Sequence, residues 1–332
     1  MLDGFDHAAG AHCGSTSLTD VATYRRWGLT EPMCFGIGAG LGFSFIESEE
    51  GPSKQFVGRT PWLETTFFEH LDVTVERESD QSFEAAWDDV TAHLDAGRPV
   101  LLFVDIFYLP YYDSDVHFSP HVVVAVDYDE ASVTLADSEH DDLKRLSLEN
   151  LRAAMGSEHG FFGELTNDWL VAMDDPSRSV ADAARDGLRT TARAMLDPGS
   201  MTWKGDATNG LEGMRVFGRS LPDWPDLPDA EWCTRFAYQN VEKRGTGGSA
   251  FRGLFAPFID EIQPELDAVD DEVVAEVHGI DDDWGTVAGH LKQAGLADDP
   301  AESQQAYDDA SEAVLAVTDR EEALYERLLD RL

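Results

Sequence analysis

The chain has 332 residues, enough for about two domains that each bury a core, and 42% are hydrophobic, which excludes a disordered acidic tail. Its formal net charge is −41, from 65 Asp+Glu against 24 Lys+Arg. With no basic stripe to release phosphate counterions, nucleic acid and anionic membrane surfaces are excluded as partners, and the acidity fits a high-salt cytoplasm, where self-repulsion is screened within about 3 Å.

Taken in order, His12-Cys13-Gly14-Ser15-Thr16-Ser17-Leu18 opens a helix whose periodic positions are Leu18, Val21, Ala22, Arg25 and Trp27, with Gly28 as the stop. Thr30 before Pro32 reads as the cap of a second helix. Gly36, Gly38, Gly40 and Gly42 are too many for it to run on, and they allow close backbone approach before an apolar strand at 43–46. The same run is a poor phosphate loop, because no strand precedes it and no Gly-Lys-Ser/Thr closes it. A short helix is expected at 61–71, a strand at 73–76, and a better helix at 82–96 ended by Gly97. Strands follow at 100–107, 122–128 and 133–136, rich in β-branched and aromatic residues and antiparallel where the turn is short. A helix at 147–155 and a strand at 169–173 complete an α+β first half. From 179 the strand signal disappears and helices are expected at 179–195, 230–243 and 250–266, with three more from 271 onward. Between the first two lies a loop of about thirty residues with three candidate substrate-facing aromatics, Trp203, Phe217 and Trp224. The expected domains are 1–176 and a mostly helical 177–332.

No secretory signal is visible at 1–10, and the longest apolar run, 99–109, contains Asp105 and is too short to span a bilayer. The 3 cysteines, an odd number and far apart, make no disulfide framework. A soluble, cytoplasmic protein with free thiols is the expectation.

The chemistry centres on Cys13. A thiol at a helix N-terminus faces unpaired backbone N–H groups and the positive end of the helix dipole, and both favour the nucleophilic thiolate. His121 opens an apolar strand and Asp137 closes the next. If those strands pair antiparallel, the carboxylate can hold one ring nitrogen and present the other to a thiol, the nucleophile–base–orienter arrangement. His117 could replace His121 as base, although a strand fixes position better than a loop. Tyr108, Tyr111 and Tyr112 read as pocket wall or core. Asp105, midway along an apolar strand, requires a partner if buried, and a substrate amine is one candidate. Glu31 either orients the Cys13 loop or serves the first turn of its own helix. Neither Cys13 nor Cys34 forms a Cys-x-x-Cys pair, and Pro120 argues against a helix carrying His117 and His121, so no metal is expected. Cys34 and Cys233 read as core. Arg244, Gly247, Gly248 and Arg252 form the one concentrated basic motif, either an anion site or a tight turn whose arginines pair with acids.

The His-Cys-Gly-Ser-Thr-Ser start, the Leu29-Thr30-Glu31-Pro32-Met33-Cys34-Phe35-Gly36 run with the glycines after it, and the Asp105-Ile106-Phe107-Tyr108-Leu109-Pro110-Tyr111-Tyr112 and His117-Phe118-Ser119-Pro120-His121 block together resemble the butirosin biosynthesis protein H family. Residues 241–252 resemble the helical domain of unknown role that commonly follows. The resemblance implies a papain-like, C39-peptidase-like domain followed by a mostly α-helical domain. It further implies an acyltransferase that moves an acyl or aminoacyl group from a carrier-protein thioester to a small-molecule amine. Cys13 would then carry the acyl group as a thioester, His121 would move protons and Asp137 would orient His121. No cofactor is implied, although a phosphopantetheine-linked acyl donor would be the substrate and an acyl carrier protein the partner. Papain-like peptidases place a Gln about six residues before the Cys to complete the oxyanion hole, and here that offset holds His7. Either His7 donates that bond or backbone N–H groups such as that of Cys13 build the hole alone. The rival readings are a cysteine peptidase or amidohydrolase with the same triad, and a papain-like scaffold that binds without catalysis.

Overall fold

The structure is a computed structural model, and it describes residues 1–49, 51–159, 163–199 and 206–332. In chain order the elements are α1 (Cys13–Tyr24), α2 (Glu31–Ile37), β1 (Leu41–Glu47), β2 (Lys54–Arg59), α3 (Leu63–Leu71), β3 (Val75–Glu78), α4 (Phe83–Asp95) and β4 (Val100–Val104). Then come β5 (His121–Tyr128), β6 (Ser132–Ala136), β7 (Lys144–Ser147), α5 (Leu148–Met155), β8 (Trp169–Ala172), α6 (Val180–Leu196) and β9 (Asp206–Asn209). Helices complete the chain: α7 (Gly210–Ser220), α8 (Ala230–Glu242), α9 (Arg252–Ile262), α10 (Asp271–Leu296) and α11 (Pro300–Arg331). The fold is α+β, and no helix among the described residues is long and apolar enough to cross a membrane.

The chain forms two compact units, Met1–Cys34 with Phe68–Ser179, and Phe35–Phe67 with Val180–Leu332. Residues 35–67, read from sequence with the first half, are therefore part of the second unit.

The first unit holds a six-stranded sheet in the order β3-β8-β4-β5-β6-β7, every neighbouring pair antiparallel. Strands β4 and β5 are buried along most of their length because they lie in the middle of the sheet, and their near-continuous Val and Leu runs reflect this. Helix α1 packs on β5, and the Ser17 hydroxyl donates to the Val122 carbonyl at 3.3 Å. Strand β4 stops earlier than the expected 107. The Asp105 side chain accepts the Phe107 N–H and starts a 3-10 turn at Ile106–Tyr108. In the β5–β6 pair, Val124 faces Ala136, so His121 and Asp137 come out at the same end of the sheet.

In the second unit β2-β1-β9 form a three-stranded sheet. Its aromatic face is closed by packed rings, Phe43 stacked on Phe56 at 5.0 Å and Phe217 tilted against Phe56 at 5.1 Å between centroids. The expected thirty-residue loop is not a loop. Within it lie β9, α7 and a 3-10 turn at Leu221–Asp226, and Phe217 and Trp224 are fully buried core rather than substrate-facing. Trp203 lies outside the described residues. The chain from 271 forms α10 and α11, where three helices were expected. The glycines before β1 do permit close approach: a Cβ on Gly36 would stand 2.2 Å from the Phe258 ring.

Candidate active site

The chain enters α1 at His12, which has the extended backbone of an N-cap. Its ring does what Ser or Asp usually does there: Nδ1 accepts the Ser15 N–H at 3.2 Å. The turn before it is held by Glu31. That carboxylate accepts the N–H groups of Ala11 and His12, each at 2.9 Å, and the hydroxyls of Ser15 and Thr16, each at 2.9 Å. Of the two roles considered for Glu31, the structure shows it orienting the Cys13 loop. Cys13 is the first residue of α1 and is half-buried as a residue. The first N–H groups of the helix have no carbonyl within it to bond, so they and the helix dipole face the sulfur's surroundings.

His121, at the start of β5, and Asp137, just beyond the end of β6, are both buried and meet with Nε2 3.0 Å from Oδ1. The Tyr112 hydroxyl donates to the same Oδ1 at 2.7 Å and lies 3.1 Å from Nε2, while the Tyr111 hydroxyl donates to Oδ2 at 3.0 Å. A carboxylate only accepts, so Nε2 carries the hydrogen. That leaves Nδ1 for the Cys13 thiol, with which the ring shares a hydrogen bond.

The electrostatics follow from this order. Burial alone would raise the Cys13 thiol, but the field and hydrogen bond of His12, then those of His121, hold it well below its ordinary value. For His121 burial favours the neutral ring. Hydrogen bonds and charge from Asp137 and Cys13 outweigh it and push the ring up to about 10. Asp137 is held at about 2, because His121, the Tyr112 hydroxyl and the Glu139 N–H outweigh its burial. These shifts favour a thiolate on Cys13 beside a protonated His121, with the Asp137 carboxylate behind the ring, and the thiolate is the form in which a cysteine can act as a nucleophile.

Residues 12–138 match the family model described as butirosin biosynthesis protein H, N-terminal, and residues 149–328 match a domain of unknown function (DUF4872). The chain belongs to the butirosin biosynthesis protein H family. No curated protein matches it. The butirosin biosynthesis protein H match begins at His12 and ends one residue beyond Asp137, so it takes in Cys13, His121 and Asp137.

The other expected site residues sort into helpers and bystanders. His7 cannot supply an oxyanion bond, because both its ring nitrogens are engaged. Nδ1 meets Asp20 at 2.8 Å, and Nε2 meets the carbonyls of Asp137 and His140 at 3.2 and 2.8 Å. The two carbonyls only accept, so Nε2 carries a hydrogen; burial opposes a charge on the ring, and Asp20 and the two carbonyls raise the ring in spite of it. His7 instead ties α1 to the turn that carries Asp137. Together with Asp6, Gly10, Thr16, Asp20 and Glu31 it lines a cavity of about 260 Å³.

Asp105 is fully buried but does not await a substrate amine. Its oxygens already accept the Phe107 and Phe118 N–H groups, His117 Nδ1 at 2.6 Å and the Ser157 hydroxyl at 2.7 Å. That pairing engages His117 Nδ1, and with the Phe118 N–H it fastens both ends of the segment that carries Tyr111 and Tyr112. Tyr111 is a donor to Asp137 rather than plain wall, and Tyr112, read only as wall or core, bridges Asp137 and His121.

The basic motif of the second unit forms a turn, and its Arg252 is committed to an acid. Arg252 is buried and forms two bonds to Glu321, at 2.9 and 2.8 Å, over the Trp284 ring. Arg244 bonds the Gln239 side chain and lies over Phe236. Gly247 and Gly248 have φ of 67° and 92°, values that favour glycine in such a turn. Cys34 and Cys233 are buried. Among the described residues no group of three or more His, Cys, Asp or Glu could hold a metal ion.

Proposed function

We propose that the chain is a cysteine-dependent acyltransferase that moves an acyl or aminoacyl group from a carrier-protein thioester to an amine through a thioester on Cys13. The observation that supports this most is the line Cys13–His121–Asp137 at one end of the sheet, with the sulfur at a helix N-terminus. The Cys13 thiolate attacks the donor carbonyl carbon, and a C–S bond forms as the carbonyl electron pair moves to oxygen. On collapse the donor's thiolate leaves and takes the proton from His121 Nδ1. An amine then attacks the Cys13 thioester, gives its proton to His121, and leaves as the amide. Asp137 holds the imidazolium through Nε2 in both halves. Family membership favours transfer over hydrolysis, and the charge of −41 fits work at molar salt.

The test is intact-mass analysis in molar KCl after mixing the protein with acyl-pantetheine thioesters. The expected result is a single acyl adduct, lost in Cys13→Ala and discharged by amines. An adduct discharged only by water would make the enzyme a thiol hydrolase. No adduct from any thioester would leave a binding scaffold.

A further inference from the structure

His7 and Asp20 are buried together, their side chains 2% and 7% exposed, with Nδ1 2.8 Å from Oδ2. The other ring nitrogen, Nε2, donates to the His140 carbonyl at 2.8 Å and to the Asp137 carbonyl at 3.2 Å. Asp20 belongs to α1, about two turns beyond Cys13. Asp137 is the residue whose side chain meets His121. One ring therefore bridges the helix that begins at the nucleophile and the backbone of the residue that orients the base. The Gly10 N–H, which donates to the Ser138 carbonyl at 2.9 Å, ties the same N-terminal segment to the same turn.

The bridge has a proton requirement that follows from its atoms. Carbonyls only accept, so the Nε2 hydrogen is committed to them. A bare Nδ1 and a carboxylate oxygen both present lone pairs, so their 2.8 Å contact requires one more hydrogen, on either atom. Without it two buried acceptors face each other, or the ring gives its one hydrogen to Asp20 and leaves the carbonyls unserved.

We propose that His7 is a positioning residue of the triad, and that one proton held between its Nδ1 and the Asp20 carboxylate latches α1 to the turn that carries Asp137. This role rests on Cys13, His121 and Asp137 being the reactive site, as the acyl-transfer reading has it, and not on which acyl donor they take. The groups that face the pair are Asp6 from the N-terminal segment, Glu31 from α2, and the carbonyls of Asp137 and His140 from the turn after β6. Burial of Asp20 favours keeping the proton, and so do the negative charges of Asp6 and Glu31. Burial opposes a charge on His7, but Asp20 and the two carbonyls outweigh it and hold the ring above its ordinary 6.5. Both residues line the cavity of about 260 Å³, where a solvent base takes the proton up. The latch is thus closed on the acid side and opens as pH rises through the raised value of the pair.

The experiment follows hydrogen exchange at the Gly10 amide of the full chain in molar KCl, for the unaltered protein and Asp20→Asn, with the amides of β5 as reference. An asparagine amide donates to Nδ1 of a neutral ring, so this variant keeps the bridge with no proton to lose. The expected result is a protection factor that falls at least about tenfold between about pH 6 and 9 in the unaltered chain, one unit of pKa between closed and open latch, and stays flat in Asp20→Asn. Equal pH dependence in the two proteins overturns the proposal. His7→Leu, which removes the bridge at every pH, is expected to slow alkylation of Cys13 by iodoacetamide at about pH 6 by about tenfold. A rate equal to that of the unaltered protein overturns the positioning role. Should His7→Leu not fold, the ring ¹⁵N shifts of His121 decide instead. They are expected to titrate at higher pH in Asp20→Asn than in the unaltered chain, and coincident curves overturn the role. None of these readouts uses an acyl donor, so failure to form an acyl-enzyme would sink acyl transfer and leave the His7 result standing.

Discussion

His121 Nε2 stands 3.0 Å from Asp137 Oδ1, and this one contact decides which ring nitrogen meets Cys13. Asparagine at 137 could turn its amide hydrogens toward Nε2 and strip that nitrogen of its own hydrogen, leaving the wrong tautomer at the thiol. Asp137→Asn is expected to slow acylation of Cys13 by about 10²–10⁴-fold, the range that a positioned acid–base group supplies. Tyr112→Phe, which removes a helper but leaves the carboxylate, is expected to cost less. Single-turnover acylation rates of both variants check this.

The Glu31 carboxylate serves four donors of the Cys13 loop at once. In Glu31→Gln one oxygen becomes a donor that faces other donors, and a buried hydrogen-bonding group left unpaired costs about 1–3 kcal/mol. The expected outcome is a stability loss of that order in urea denaturation. Hydrogen exchange at the Ala11 and His12 amides is expected to quicken more than exchange elsewhere in α1. Uniform quickening along the helix would mean that Glu31 acts as a general support and not on this loop.

The pH dependence has a definite sign. His121 is raised from 6.5 to about 10 on folding. The stability it contributes is therefore complete below about 6.5 and lost as pH rises through about 10. Asp137 is lowered from 3.8 to about 2, so its contribution is present above about 3.8 and lost as pH falls toward 2. The gap in melting temperature between the unaltered protein and His121→Gln is expected to narrow between pH 6.5 and 10. A gap that widens over that window would contradict the thiolate–imidazolium assignment.

Much of this site was legible in the residues, for reasons particular to each. Cys13 stands out because a Gly/Ser/Thr-rich entry runs into a 3.6-residue apolar period, and His121 and Asp137 because each sits at the end of a β-branched run. Burial on both faces makes such runs easy to read, and pairing through a short turn then brings their ends together. His12 was passed over because histidine is not a usual helix cap, and its adjacency to Cys13 was the only signal. The role of Tyr112 depends on a contact across 25 residues, to Asp137, that no local pattern encodes. Strands β2 and β7 were missed because they are short and polar, as strands at a sheet edge often are. Helix α7 was hidden by its glycines, which mark close packing here: a Cβ on Gly213 would lie 2.2 Å from the Thr208 carbonyl oxygen.

In the second unit the arginine read as an anion binder holds the helices together. Glu321 accepts from Arg252, from the Trp284 indole at 2.9 Å and from the Tyr325 hydroxyl at 3.2 Å, all buried. Removing one member leaves an uncompensated buried charge, which typically costs about 3–5 kcal/mol. Arg252→Leu is expected to lose stability on that scale in urea denaturation. A loss below about 1 kcal/mol, the range of an exposed pair, would show that the pair is solvated.

The most direct test of the nucleophile compares the three cysteines of one chain. Cys13, Cys34 and Cys233 would be alkylated with iodoacetamide across a pH series in molar KCl, with each site followed by peptide mass spectrometry. The expected result is that Cys13 alone reacts below about pH 7, well under the free-thiol value of about 8.5, and that His121→Ala weakens that preference. If Cys13 reacts no faster than the two buried cysteines in the folded protein, its thiol is not held as a thiolate and the catalytic reading of the site is wrong.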